Sequence, residues 1–362
     1  MTHSWHIRPK ALAKEMLYRT GGLGALHRRR NRETLTVLMF HRVIDPDAPA
    51  WQGANPLFTM STGFFDRLMG LIKRHYNPVG LEMVARARRG EAVLPPRALL
   101  VTFDDGWADN VEFAAPLLRQ AEVPAVFFVA TGAVKSGEAF WQERLFASLM
   151  VAGESSDQWV ALERTLGVDE TIGDTNFPRK VMGFISCLES RGGRAGQDCA
   201  AQFSTMDDRR MPQMMTPEDI TRLAEDPLFD FGTHGVSHTP FPALDDPGME
   251  LVQSWDDLSL WCAPPVKSLS FPHGHYTSEI LDQAKSTGYE LIFDSEKTLC
   301  GAGDGINVPA CGRFEIRPPG SDPFNSDYGR HLTGDFDAGR IAAEMFLRPI
   351  AVKSTRESTG LR

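Results

Sequence analysis

Asp104 and Asp105 stand side by side at the end of an apolar run, Ala98–Phe103, and Gly106 follows them. Further along, His234 and His238 lie four residues apart in FGTHGVSHTPF. That spacing sets two imidazoles on one face of a helical turn, or in one tight loop, where both reach a single ion. Two histidines and a carboxylate make a three-ligand set with a fourth position open to water, which describes a catalytic divalent-metal centre rather than a structural one. The acidic pair then divides its labour. One carboxylate binds the ion, and its neighbour stays unligated and takes a proton from the activated water. Adjacent residues at a strand end point in different directions, so both roles are geometrically open.

The elements that must position these groups share one habit. Thr34–Phe40 runs into His41, and Ala98–Phe103 runs into the acidic pair. Leu228–Gly232 runs into Thr233 and His234, and Val266–Phe271 into Pro272, His273 and His275. Each reads as a short strand with its chemistry just past its C-terminal end, and such ends converge on one face of a parallel barrel or sheet. Helical stretches separate them. Phe64–Tyr76 is one, Val111–Ala121 another, with Asp109 or Asn110 placed to cap it. Thr216–Glu225 opens with Thr-Pro-Glu-Asp, an N-cap followed by proline, and Glu279–Thr287 ends at Gly288. A further strand, AVFFVA, follows Val123-Pro124, so the order is strand–helix–strand and parallel pairing is expected.

Residues 138–212 break this rhythm, with helix-like stretches at Trp141–Met150 and Lys180–Leu188 and a glycine-rich GGRAG at 192–196. The expected plan is α/β: a basic leader or helix over 1–33, a distorted (β/α) barrel over 34–317 with a helical insertion at about 138–212, and a tail over 318–362 with one helix near Phe336–Phe346.

With 362 residues, 42% apolar and 23% charged, the chain has the composition of an ordinary globular protein with a large core. A net charge of −9 argues against general nucleic-acid affinity. No apolar run reaches the roughly 18 residues of a membrane span. Cys187, Cys199, Cys262, Cys300 and Cys311 are scattered and odd in number, which reads as reduced thiols in a cytosolic protein. The N-terminus carries Arg8, Lys10, Lys14, Arg19, Arg28, Arg29 and Arg30 without the apolar region of a secretion signal. It reads as a solvated leader, or as a basic helix lying on a membrane surface or on the domain. The expected location is cytoplasmic, with peripheral contact at the inner face of the membrane.

Thr102-Phe103-Asp104-Asp105-Gly106 matches the TFDDG motif of the polysaccharide deacetylases, carbohydrate esterase family 4 (the NodB-homology domain). His234-Gly-Val-Ser-His238 looks like their second motif, in the right chain order, and Ser270–Tyr276 (SFPHGHY) like a variant of their third. The resemblance spans about 35–300, excluding the insertion. It implies Asp104 as general base and Asp105, His234 and His238 as ligands of one divalent ion, zinc first, with cobalt, nickel or iron as alternatives. It implies hydrolysis of an acetyl group from an amino-sugar polysaccharide or glycolipid, with a backbone N–H near Tyr276 facing the oxyanion. Two departures stand out. Ser270 occupies the position where the family often has an arginine that orients the base. Ile306–Ile316 (INVPACGRFEI) has no histidine to serve as general acid, so His41 is the best replacement, with His273 and His275 as rivals. A hydrogen-bonded barrel-end role for His41 competes with the acid role. Phe271, Pro272, His273 and Tyr276 are expected to bind substrate along the groove. Trp107 either stacks on a sugar or packs against the insertion, and Trp141, at the opening of the insertion, suits core better than sugar platform.

Other classes remain open. A phosphoryl-transfer enzyme also places paired aspartates after a strand, but needs a phosphate-binding loop and has no use for HxxxH. An amidase acting on a small non-peptide C–N bond, and a pseudoenzyme that binds glycan without cleaving it, fit the same residues.

Overall fold

The computed structural model describes residues 9–166, 176–190, 198–199, 201, 208–301, 310–316 and 338–350. The GGRAG stretch and residues 318–337 of the tail lie outside them.

Among the described residues ten strands form: β1 (Thr34–Phe40), β2 (Arg42–Ile44), β3 (Thr59–Ser61), β4 (Asn77–Pro78), β5 (Ala98–Phe103), β6 (Ala125–Val129), β7 (Phe229–Thr233), β8 (Ser268–Ser270), β9 (Leu291–Phe293) and β10 (Cys300–Gly301). The main sheet runs β10-β1-β5-β6-β7-β8-β9, parallel throughout except for β10, which is antiparallel to β1. It is a curled half-barrel surrounded by helices, as the strand–helix–strand order requires. The ends of the parallel run, β1 and β9, are linked by Cys311–Phe314. Cys311 bridges to Phe293, and Phe314 bridges to Leu38, both in parallel sense. This segment is short and pairs only through isolated bridges, so its alternation in the sequence is too brief to announce a strand.

The helices are α1 (Pro9–Arg19), α2 (Gly22–Arg30), α3 (Thr62–His75), α4 (Leu81–Arg88), α5 (Ala115–Ala121), α6 (Thr131–Ser136), α7 (Trp141–Ala152), α8 (Asp157–Leu166), α9 (Phe177–Ser190), α10 (Pro217–Ala224), α11 (Pro247–Trp261), α12 (Ser278–Ser286) and α13 (Ala338–Phe346). The start of α10 has a full capping box: the Thr216 hydroxyl accepts from the Asp219 N–H, and Asp219 accepts from Thr216. Asp109 does not cap the helix after it. Its carboxylate is taken by Arg42 at 2.8 Å, and Asn110–Ala114 starts as a π-turn before α5. Between β1 and α3, β2 and β3 form a small second sheet.

Strand alternation sorts the core. Val101, Phe103, Phe127 and Phe231 face the surrounding helices, including α3 and α5. Leu35, Val37, Leu100, Val126, Phe128 and Phe293 fill the inner side. Thr102 and Asp104 continue the inward parity of Leu100, so the base candidate points into the barrel by register alone. The insertion supplies α7, α8 and α9, packed on their own cluster of Phe146, Trp159, Val181, Phe184 and Ile185. Trp141 is part of that packing. The basic leader is not a solvated tail over its described part: α1 and α2 are helices held to α13. The Gly339 N–H donates to Glu15, and Arg30 donates to the Phe346 and Arg348 carbonyls.

Candidate active site

Past the end of β5 the backbone departs from strand geometry. Asp105 has φ 80° and Gly106 φ 91°. The left-handed turn costs a non-glycine residue roughly 1–2 kcal/mol, and it swings the Asp105 carboxylate toward β7 while Asp104 stays inward. Strain of this kind concentrates where the chain must aim a functional group. After β7, Gly235 (φ 73°) and His238 (φ 59°) fold the HxxxH stretch into a tight loop, not a helical turn. Glu250 of α11 accepts the Ser237 N–H at 3.2 Å and also binds the Val236 N–H, fixing that loop.

The loop and turn meet. Asp105 Oδ1 lies 3.2 Å from His238 Nε2 and 3.5 Å from His234 Nε2, and the three ligand atoms are all within 4.8 Å of one another. His234 Nδ1 bonds the Ser270 carbonyl at 2.8 Å, so this nitrogen carries the proton and Nε2 keeps its lone pair. Burial first, with the neighbouring His238 adding to it, lowers His234 to about 4 against the opposing pull of the aspartates. It is therefore a neutral imidazole at neutral pH. Asp105 Oδ2 accepts from the Trp107 indole N–H at 2.8 Å, while Oδ1 is buried with no well-aligned donor. Phe140, at the threshold of α7, stacks on the His238 ring at 4.1 Å. A buried carboxylate oxygen without a donor, facing two imidazole nitrogens, one of them with its lone pair fixed, fits a divalent ion.

Asp104 is locked by a residue that the motifs do not contain. The Arg313 guanidinium binds it fork to fork, Nη1 to Oδ1 at 2.7 Å and Nη2 to Oδ2 at 2.8 Å. Arg313 also donates to Ser270 Oγ at 2.6 Å and to the Asp294 carbonyl at 3.0 Å, and it lies over Phe128 and Phe293. Burial alone would raise the Asp104 pKa, but the Arg313 charge, helped by His234, more than offsets this and holds it below the ordinary carboxylate range. The arginine expected at position 270 is thus supplied from the barrel-closing segment, and Ser270 contributes a hydroxyl to the same cluster. The sequence carried a signal for this: Arg313-Phe314-Glu315 alternates polar, apolar, polar, as an edge of strand does.

His41 follows β1 and pairs with Glu315, Nδ1 to Oε1 at 2.9 Å. Burial would lower its pKa. Glu315, with Asp105 and Asp104, raises it to about 9, so the imidazolium persists at neutral pH. The structure therefore brings His41 to the same barrel mouth as the acidic pair.

The expected groove residues are placed differently. Trp107 is 1% exposed and packed on Phe140 and Met214, so no ring face is open to a sugar. Its service is to Asp105. Phe271 is fully buried against Phe241 and Tyr276, and Pro272 is buried too, so neither offers a groove surface. Tyr276 is half-buried and donates to Asp294 at 3.3 Å. Its backbone N–H has no acceptor among the described residues. His273 is exposed, with φ 58°, and its ring lies 4.9 Å from that of His238. His275 is exposed beyond it, 6.2 Å from His273 between ring centres.

Known proteins share this frame. The polysaccharide deacetylase family model matches residues 92–292. No curated protein sequence matches the chain. Among solved structures, the deacetylase PplD of Streptococcus pyogenes, solved in complex with acetate, aligns with a TM-score of 0.52 at 17% identity, over 78% of this chain and 92% of that one. IcaB from Ammonifex degensii aligns at 0.51 and 16% identity, over 83% and 98%. A putative polysaccharide deacetylase of Bacillus anthracis aligns at 0.52 and 15%, over 86% and 69%. At these identities the structures speak for the fold, and they agree with the curled parallel sheet. The family model, covering more than half of the chain and both the acidic pair and the two histidines, carries the assignment: the chain belongs to the polysaccharide deacetylase family, hydrolases of non-peptide carbon–nitrogen bonds.

Proposed function

We propose that this deacetylase is metal-dependent and removes the N-acetyl group of an amino sugar within a polysaccharide or glycolipid. The observation that carries the reading is the Arg313–Asp104 fork beside the Asp105–His234–His238 cluster, a charged acceptor and an ion-binding set at one barrel mouth. Asp105, His234 and His238 would hold the ion, and two imidazoles with one carboxylate suit zinc. Bound there, the ion would polarise the acetyl carbonyl and ease deprotonation of water.

The chain's own residues do the rest. Asp104, kept ionised by Arg313, accepts a proton as water oxygen bonds to the carbonyl carbon. The Tyr276 N–H is the donor offered to the oxyanion. His41 gives its proton to the amide nitrogen as the C–N bond breaks, leaving acetate and the free amine. Trp107 and Phe140 hold two ligands in place.

Metal analysis paired with acetate release from an acetylated amino-sugar oligomer tests the reading. H234A and H238A should lose the ion with the fold intact, because the site sits on loops beyond the strands. Full metal and full turnover in both would overturn it. Metal retention without any acetate release by the wild-type chain would instead favour a glycan-binding pseudoenzyme or a different amide substrate.

A further inference from the structure

The N-terminal helices present an apolar stripe that the other described residues leave open. On α1, Leu12, Met16 and Leu17 are 50%, 59% and 51% exposed. Leu12 and Met16 are one turn apart, as are Ala13 and Leu17, so the four form one continuous side of the helix. The opposite side is the packed one: Glu15 accepts from the Gly339 N–H, and the Tyr18 hydroxyl meets His75 at 3.3 Å. The stripe continues onto α2. Gly22 sits against the Leu17 side chain, and Leu26, one turn on, is 46% exposed. Leu23, Gly24 and His27 take the buried side of α2.

Charge frames this stripe. Residues 9–30 contain six lysines and arginines and one acidic residue, Glu15, in a chain whose net charge is −9. Lys14, Arg19, Arg28 and Arg29 are exposed, and Arg28 and Arg29 have no ion-pair partner among the described residues. An exposed apolar side flanked by basic groups matches the headgroup boundary of an anionic bilayer, which takes apolar side chains below and cationic ones at the phosphate level.

We propose that α1 and α2 dock the protein peripherally on an anionic lipid surface. The docked face sits at the end of the barrel away from the chemistry. Arg30 ends α2 and is tied to the carbonyls of Phe346 and Arg348, β1 begins at Thr34, and His41 lies past the other end of that strand. At ~3.3 Å per residue the strand separates them by roughly 20 Å. Docking therefore turns the catalytic mouth to the aqueous side, toward glycan extending from the surface rather than toward lipid headgroups. This inference stands apart from the hydrolytic reading, because vesicle binding is measured without substrate or metal.

The full chain is sedimented with vesicles of phosphatidylcholine alone and with vesicles containing phosphatidylglycerol. Binding to the anionic vesicles and its weakening by salt are expected, with little binding to phosphatidylcholine. Each basic group at such a surface is worth roughly fivefold in affinity, so R28Q/R29Q should bind about 25-fold more weakly. L12S/M16S/L17S should lose binding while keeping acetate release from a soluble oligomer and the wild-type thermal transition. Absence of binding to either vesicle, equal binding to both, or wild-type binding by the stripe variant would each overturn the proposal. So would a monomer–dimer equilibrium abolished by the stripe variant without any vesicle binding, since the occupant would then be a second copy.

Discussion

Arg313 and Asp104 are both essentially buried, and each is the other's neutraliser. Removing one partner of such a pair leaves an uncompensated charge, a loss of ~3–5 kcal/mol. R313M is expected to lower the midpoint of chemical denaturation by that order and to leave Asp104 with a raised pKa. D104N/R313M should recover part of the stability and none of the turnover, and a double variant no more stable than R313M would show that the fork is not the source. The sign with pH follows from the depressed Asp104 pKa. Its contribution is fully present above the unfolded carboxylate value of about 3.9 and is lost as pH falls through the lower folded value. His41 behaves oppositely. Raised to about 9, it keeps its proton across neutral pH, and activity that needs this proton should decline as pH rises through that region. Cationic charge at the ligand cluster would draw this alkaline limb downward. E315Q should shift the limb to lower pH. H41A should cost ~10²–10⁴-fold in kcat, with a smaller loss on an aryl acetate, whose leaving group needs no proton. An H41A variant equally impaired on both substrates would make His41 structural.

At the scale of elements, the proposed ligands rest on two left-handed turns. Gly235 cannot accept a side chain freely: it has φ 73°, and an added Cβ would lie 3.1 Å from Glu250 Oε2, the group that fixes the loop. G235A is therefore expected to weaken metal affinity by displacing His234 and His238, with a stability loss of roughly 1–2 kcal/mol. Equilibrium dialysis against a chelator reads the first, and calorimetry the second. These turns also explain what was legible. Asp104, Asp105 and His234 are legible because strand runs end directly before them, and His238 because it follows His234 by four residues. The capping box at Thr216 was readable because its chemistry is local. Asp109 was not, since a capping residue and a partner for the distant Arg42 look alike in sequence. Trp107, read both ways, takes the packing alternative, and Phe271 is buried where a groove wall is expected, for a related reason. An aromatic beside a catalytic motif serves a sugar or the core, and only burial decides. Arg313 and Glu315 were missed because their roles depend on the pairing of Phe314 with Leu38, far apart in sequence.

For the whole molecule, the barrel is joined across β1 and β9 by Cys311–Phe314 through isolated bridges, not a full ladder. This seam is sparsely bonded, and local opening draws on such regions first. Activity should therefore fall at lower urea than the loss of helical circular dichroism, while coincident curves would place the seam within the global transition. The closing segment also carries both partner groups, Arg313 for the proposed base Asp104 and Glu315 for His41. The consequence reaches back to synthesis. A ribosome-bound chain that has released the acidic pair and both histidines still lacks these two supports, which emerge later. The nascent enzyme is chemically silent until this segment seats, so maturation and closure of the barrel are one event.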